Sequence, residues 1–326
     1  MTWRSPPRRL RSSRSAATSR ARRSVSAADL TNLLDRRLLF VTGKGGTGKS
    51  AVACALARAA AGRGVRTLVC GMDGSDAVPR ALGATGIGYD PVEVAPNLSA
   101  MVMRTDRSLQ EYVRIHLRLP LLPDLSALAS TFDFVADAAP GVKEVLGVGK
   151  VCWEVRERHF DLVVVDAEAS GHIVAQIASP RTINSLVPRG PLRDQTAWML
   201  AILDDPATTA VVVVTTPEEL PVTETVELVD RLRAGTRTEV AAVMVNSAEP
   251  AVPHGAELLA GDPWFASVAP AHARSVRTAV ERRRAQTEAT AELAGLGVPV
   301  VELPAVAGDE REVCERLARE IAGVPA

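Results

Sequence analysis

Aromatic residues make up only 3% of the 326 residues, and there are four cysteines, Cys54, Cys70, Cys152 and Cys314. The cysteines lie far apart and form no C-x-x-C pair. They read as small buried hydrophobes of a protein in a reducing cytoplasm, and a three-thiolate metalloid site would have to be assembled from distant segments. No apolar run approaches 18 residues, so no transmembrane helix is expected and any membrane role would need a partner. Net charge is missing as well, with 38 basic residues balancing 38 acidic ones. The balance is uneven along the chain. Residues 1–25 hold eight arginines and no acid, which leaves 30 bases against 38 acids in the remainder, a net charge of about −8. A mildly acidic body gives no reason to expect direct nucleic-acid binding. The leader, residues 1–35, mixes arginine with serine, alanine and proline and has no apolar run to bury, so it reads as disordered. It is not a secretory signal. Nothing periodic or aromatic accompanies its charge, which favours a flexible tail or an over-long start over a basic arm for nucleic acid or anionic lipid, or a transit peptide.

What the chain does have is concentrated in one stretch, LLFVTGKGGTGKS, from Leu38 to Ser50. Four apolar residues read as a buried strand, and the alanine-rich run 51–61 reads as a helix. Between them Gly43, Gly48, Lys49 and Ser50 fit the phosphate-loop spacing G-x-x-x-x-G-K-[ST] in its expected strand-to-helix setting. Gly43, Gly45, Gly46 and Gly48 let backbone N–H groups approach a triphosphate closely. Lys49 would reach the β and γ phosphates and Ser50 would offer its hydroxyl to Mg²⁺, while Thr47 and Ala51 complete the loop and the first helical turn. The ligand expected here is ATP or a similar nucleotide with Mg²⁺.

Apolar strand runs at 38–41, 67–70, 98–103, 160–166, 210–215, 240–245 and 298–303 alternate with helical segments. That alternation predicts an α/β fold, a mainly parallel sheet with helices on both faces and the nucleotide at the carboxyl ends of the strands. The run FDLVVVD ends in Asp166, an acid at the carboxyl end of a buried strand where a magnesium site needs one. Residues 104–150 are less regular and read as a reduced helical insertion. The segment around Pro180, Pro188 and Pro191 reads as helix interrupted by proline.

The loop form GKGGTGK, with Lys44 after the first glycine, resembles the deviant phosphate loop of dimeric ATPases. That class includes arsenite-pump and tail-anchored-protein-targeting ATPases of the ArsA type and the ParA and MinD partition proteins. The segment from Asp166 to His172, D-A-E-A-S-G-H, resembles the ArsA-type switch Asp-Thr-Ala-Pro-Thr-Gly-His, with Asp166, Gly171 and His172 in register. The resemblance spans roughly residues 38–308 and implies a three-layer P-loop NTPase domain over 36–326. It also implies that Lys44 reaches a partner's nucleotide across a dimer interface, that Asp73 orients water, that Asn246 reads adenine and that the loop from Pro304 lies over the base. Gly74, Asp76, Ala167 and Ala169 depart from the family pattern, and Glu168 is an added acid beside the magnesium position.

These features imply a cytoplasmic, Mg-dependent ATPase that dimerises over ATP, as homodimer or as heterodimer with a homologous ATPase, and drives or gates a membrane or cargo partner. Two alternatives stay open. One is a low-turnover nucleotide-switched subunit paired with a homologous ATPase. The other is a partition-type ATPase, supported only by the arginine-rich leader.

Overall fold

The computed structural model describes residues 32–72, 74–104, 107–108 and 142–323. The leader up to residue 31, Asp73 and most of the expected insertion therefore lie outside the described residues. Eight strands form one sheet: β1 Leu38–Gly43, β2 Thr67–Gly71, β3 Val92–Ala95, β4 Leu98–Val102, β5 Leu162–Asp166, β6 Thr209–Thr215, β7 Glu239–Ala248 and β8 Val300–Pro304. Their spatial order is β3-β4-β2-β5-β1-β6-β7-β8. All pairings are parallel except β3 with β4. The central strands β1, β2, β5 and β6 are buried along their whole length. Burial on both faces is why these segments are written as unbroken valine and leucine runs instead of alternating patterns.

The helices follow in chain order: α1 Lys49–Gly62, α2 Ala77–Leu82, α3 Val142–Arg156, α4 Ile173–Leu186, α5 Pro191–Leu203, α6 Glu219–Gly235, α7 Ala256–Gly261, α8 Pro263–Val268, α9 Pro270–Ala289 and α10 Glu310–Ala322, with a 3₁₀ helix at Thr290–Leu296. Alternate residues of β1 point to opposite layers. Leu39 and Val41 pack with α1, α2 and α10, whereas Leu38 and Phe40 pack with α3, α4, α5 and α6. The result is the expected three-layer fold. Among the described residues no helix is long and apolar enough to cross a membrane.

Three features differ from expectation. Strand β3 was not foreseen. Its short Val-Glu-Val run is partly exposed at the sheet edge, and it returns into β4 through Pro96-Asn97, with Asn97 at φ 61, the positive φ that the third position of a type II turn requires. Leu33 and Leu34, inside the expected leader, are buried in the α1 core. The folded body thus reaches back at least to them. Pro180 does not interrupt α4 but lies within it, buried. The Gln176 carbonyl, which an N–H at position 180 would have served, accepts the Ser179 hydroxyl instead, at 2.8 Å. The break falls between Leu186 and Pro191, which starts α5 at a first-turn position suited to proline.

The four free thiols are all buried and are divided between the layers, Cys54 and Cys314 on one face, Cys70 and Cys152 on the other. No group of three metal-binding side chains occurs among the described residues, so a three-thiolate site is not assembled there. Burial pushes the Cys70 and Cys152 thiols up, and the Asp166 carboxylate adds to the shift at Cys70. Because all four thiols are buried, an aromatic disulfide reagent should leave them unmodified in the native protein at neutral pH and titrate four in denaturant. Rapid labelling of any thiol without unfolding would contradict this packing.

Candidate functional site

The loop between β1 and α1 crosses the carboxyl ends of three strands. Gly43, still paired with Val214 of β6, has φ 153, and a Cβ placed there would sit 2.0 Å from the Val214 carbonyl oxygen. Only glycine fits that approach. The turn is closed by Thr47, whose hydroxyl donates to the Lys44 carbonyl at 2.9 Å. Gly48 then takes φ 86 as the N-cap of α1, and the first helical bond runs from Val52 N–H to Gly48 O at 3.0 Å. The N–H groups of Lys49, Ser50 and Ala51 precede that bond and have no carbonyl of their own helix to bond. Above the turn a Cβ on Gly45 or Gly46 would meet nothing within 4 Å. The loop thus pairs an open backbone turn, free of side chains at Gly45 and Gly46, with the positive end of a helix.

Asp166 ends β5, the strand beside β1, with Val41 opposite it on β1 and Gly71 opposite it on β2. It is 4% exposed. The segment after it is tied back to the loop strand by three bonds: Ala167 N–H to Val41 O at 2.9 Å, the Thr42 hydroxyl to Glu168 O at 3.1 Å and Ser170 N–H to Gly43 O at 3.1 Å. These bonds bring Asp166, Gly171 and the glycine loop together at one end of the sheet. Gly171 is exposed, and the neighbouring His172 lies 3.8 Å from Glu168 on a solvated surface.

Two side chains from distant segments reach the loop. Lys44 Nζ pairs with Glu224 of α6 at 2.6 Å, each side chain one-third exposed. Asn246 of β7, 8% exposed, donates its amide to the Thr47 carbonyl at 3.0 Å. Pro304 ends β8 at the same edge of the sheet, and the backbone beyond it is pinned by Ala305 N–H to Ala248 O. Sequence reasoning missed Glu224 and Thr42. Glu224 stands 180 residues from Lys44 in an ordinary amphipathic helix, and no local signal marks it. Glu218 opens α6 and lines a separate cleft of about 610 Å³ with Glu219, Glu288, Glu292 and Arg282. No residue of the glycine loop lines it, and four carboxylates against one guanidinium make it a poor seat for a polyphosphate.

The profile of a family described as anion-transporting ATPase, of the ArsA type, matches residues 36–190. That span holds the loop, Asp166 and the switch segment. The ATPase BagA of Mycobacterium tuberculosis is 29% identical over 226 residues, 66% of this chain and 66% of the relative. The ATPase get3 of Schizosaccharomyces japonicus is 28% identical over 184 residues, 52% of this chain and 56% of the relative. The ATPase GET3 of Mycosarcoma maydis is 27% identical over 183 residues, 52% and 54%.

Residues 36–190 form an ArsA-like ATPase domain. The family is one of ATP-hydrolysing enzymes, and this ArsA-like chain has the eight-stranded, helix-covered sheet on which its loop and switch are mounted. The chain spans about two thirds of the mycobacterial relative and about half of the get3 proteins it matches. Asn246 and Pro304 fall outside the segment matched by the family profile.

Proposed function

We propose that the protein binds Mg-ATP in the Gly43–Ala51 loop, hydrolyses it as a dimer closed over the nucleotide, and uses that cycle to drive or gate a partner in the cytoplasm. The observation that carries this reading is the cradle itself. Glycine is enforced at Gly43 and Gly48, open space lies over Gly45 and Gly46, and a buried carboxylate stands on the next strand.

The residues present fit the ligand. The N–H groups of the first α1 turn and the Lys49 ammonium suit the β and γ phosphates, with Lys49 and Lys44 supplying the charge that stabilises transfer. The Ser50 hydroxyl and Asp166 are hard oxygen donors of the kind Mg²⁺ takes in small number when phosphates complete its shell. When bound, the ion neutralises charge on the phosphates. Asp166 is fixed by its strand position, and the Thr42 and Ser170 bonds hold the following segment, with Gly171, against the loop, so that a shift at one is felt at the other. Asp73, outside the described residues, is assigned the alignment of the attacking water. Asn246 and Pro304 frame the base. Transported or targeted species, by analogy with anion-transporting and get3-type relatives, are approached through the partner and not through a membrane span of the described chain.

The test is steady-state ATP hydrolysis by the full chain against its own concentration, with Mg²⁺, with chelator in its place, and with Lys49→Ala as the blank. Turnover per subunit that rises with concentration and requires Mg²⁺ supports the dimeric ATPase. ATP bound tightly with no turnover at any concentration sinks the self-sufficient enzyme and leaves the nucleotide-switched subunit of a heterodimer.

A further inference from the structure

Asn246 touches the phosphate loop directly in this structure. Its amide is buried against the glycine loop, Nδ2 donating to Thr47 O at 3.0 Å, and a Cβ on Gly48 would lie 2.3 Å from that same nitrogen. A carbonyl oxygen can only accept, so the nitrogen end of the amide must face Thr47 and the orientation of the group is fixed. Strand β7 leaves its register with β8 directly after this point, between Val245 and Ala248, and Ser247 takes φ 60. The residue that spans from β7 to the loop thus stands at a kink of its strand.

Resting on the nucleotide-site reading above, we propose that Asn246 is a positioning residue of the phosphate loop, clamping Thr47 and Gly48 so that the polyphosphate cradle and the base seat are set by one amide. The inventory of that amide makes the coupling specific. One N–H is taken by Thr47, which leaves one N–H and one acceptor oxygen side by side. Adenine offers the complementary pair on its N7 and N6 edge, an acceptor beside a donor, whereas guanine offers two acceptors, N7 and O6. With the amide held by Thr47 it cannot turn to relieve the clash with O6. Preference for a 6-aminopurine and the shape of the phosphate loop therefore depend on the same hydrogen bond.

Inorganic tripolyphosphate separates this clamp from base reading, because it has no base. Calorimetric titration of the full chain with ATP, GTP and tripolyphosphate, for wild type, Asn246→Ala and the same-sized Asn246→Asp, is the experiment. Without that bond the loop is ordered only on binding, and a cost equal to one net hydrogen bond makes tripolyphosphate binding about fivefold weaker in Asn246→Ala and weaker still in Asn246→Asp, whose carboxylate repels the anion. In Asn246→Ala ATP should weaken further than that and GTP by no more than it, so that the ATP preference disappears, whereas the Asn246→Asp carboxylate, which accepts from N6 and repels O6, should keep ATP ahead of GTP. The unfolding midpoint of the nucleotide-free variants should stay near wild type, which a general structural lesion would not allow. Unchanged tripolyphosphate affinity with reduced ATP affinity would overturn the clamp and leave a plain base reader. Wild type that binds neither ATP nor tripolyphosphate would instead remove the nucleotide-site reading, and the clamp with it.

Discussion

Gly43→Ala should lower the unfolding midpoint of the nucleotide-free protein by about 7 °C. The added Cβ would stand 2.0 Å from the Val214 oxygen and 3.3 Å from Thr47 Oγ1. Strand β6 is bonded to β1 on one side and β7 on the other, so the Val214 backbone has nowhere to retreat. Overpacking costs about 1–3 kcal/mol, and an alanine held at φ 153 adds strain of the same order. For a domain of this size a loss of about 4 kcal/mol is roughly 7 °C. Gly46→Ala is the informative contrast. Gly46 has φ 86 but no atom within 4 Å of its virtual Cβ, so its stability cost is the strain alone, about 1–2 kcal/mol. Its methyl would occupy the space assigned to phosphate, and ATP affinity should fall at least tenfold while the midpoint moves by only a few degrees. Thermal unfolding without ligand and an ATP titration give both numbers. Equal midpoints for Gly43→Ala and wild type would mean that the loop does not lean on β6 as described.

The parts of this arrangement that could be read from sequence are those encoded locally. A strand buried on both faces must be a continuous apolar run, so β1, β2, β5 and β6 were visible as such, and the phosphate-loop spacing is contained in eight residues. Asp166 was found because it closes such a run. Strand β3 was lost for the opposite reason. With Glu93 exposed and prolines on both sides, it has neither the hydrophobic run nor the length that marks a strand, and its one signal was the Pro96-Asn97 turn. The helices α7, α8 and α9 between β7 and β8 carry no strong apolar signal, because little of their surface is buried. Long-range polar pairings are the hardest to read. The resemblance made Asn246 a base reader, but its bond to Thr47, 199 residues away, follows from the order of strands in the sheet. Glu224 likewise acquires its role only when α6 is laid beside the loop.

Lys44→Ala should leave ATP binding within a few-fold of wild type and cut turnover by about a thousandfold. A cation delivered to the transferring phosphoryl group from a second subunit acts on charge that develops in the transition state, and such groups are worth about 10³ or more in rate. In the single chain described here Lys44 is instead engaged within its own subunit, 2.6 Å from Glu224. Closing a dimer over ATP then requires that pair to separate. With both side chains one-third exposed, the pair restrains Lys44 by no more than about 1 kcal/mol. Glu224→Ala should accordingly allow ATP-dependent dimers at about two- to fivefold lower protein concentration, with turnover at saturating concentration unchanged. Sedimentation with ATP, set beside hydrolysis measured over the same concentrations, separates association from rate. If Glu224→Ala loses turnover as Lys44→Ala does, the glutamate orients the lysine for catalysis instead of restraining it. If Lys44→Ala keeps wild-type turnover and concentration dependence, no lysine is shared across the interface.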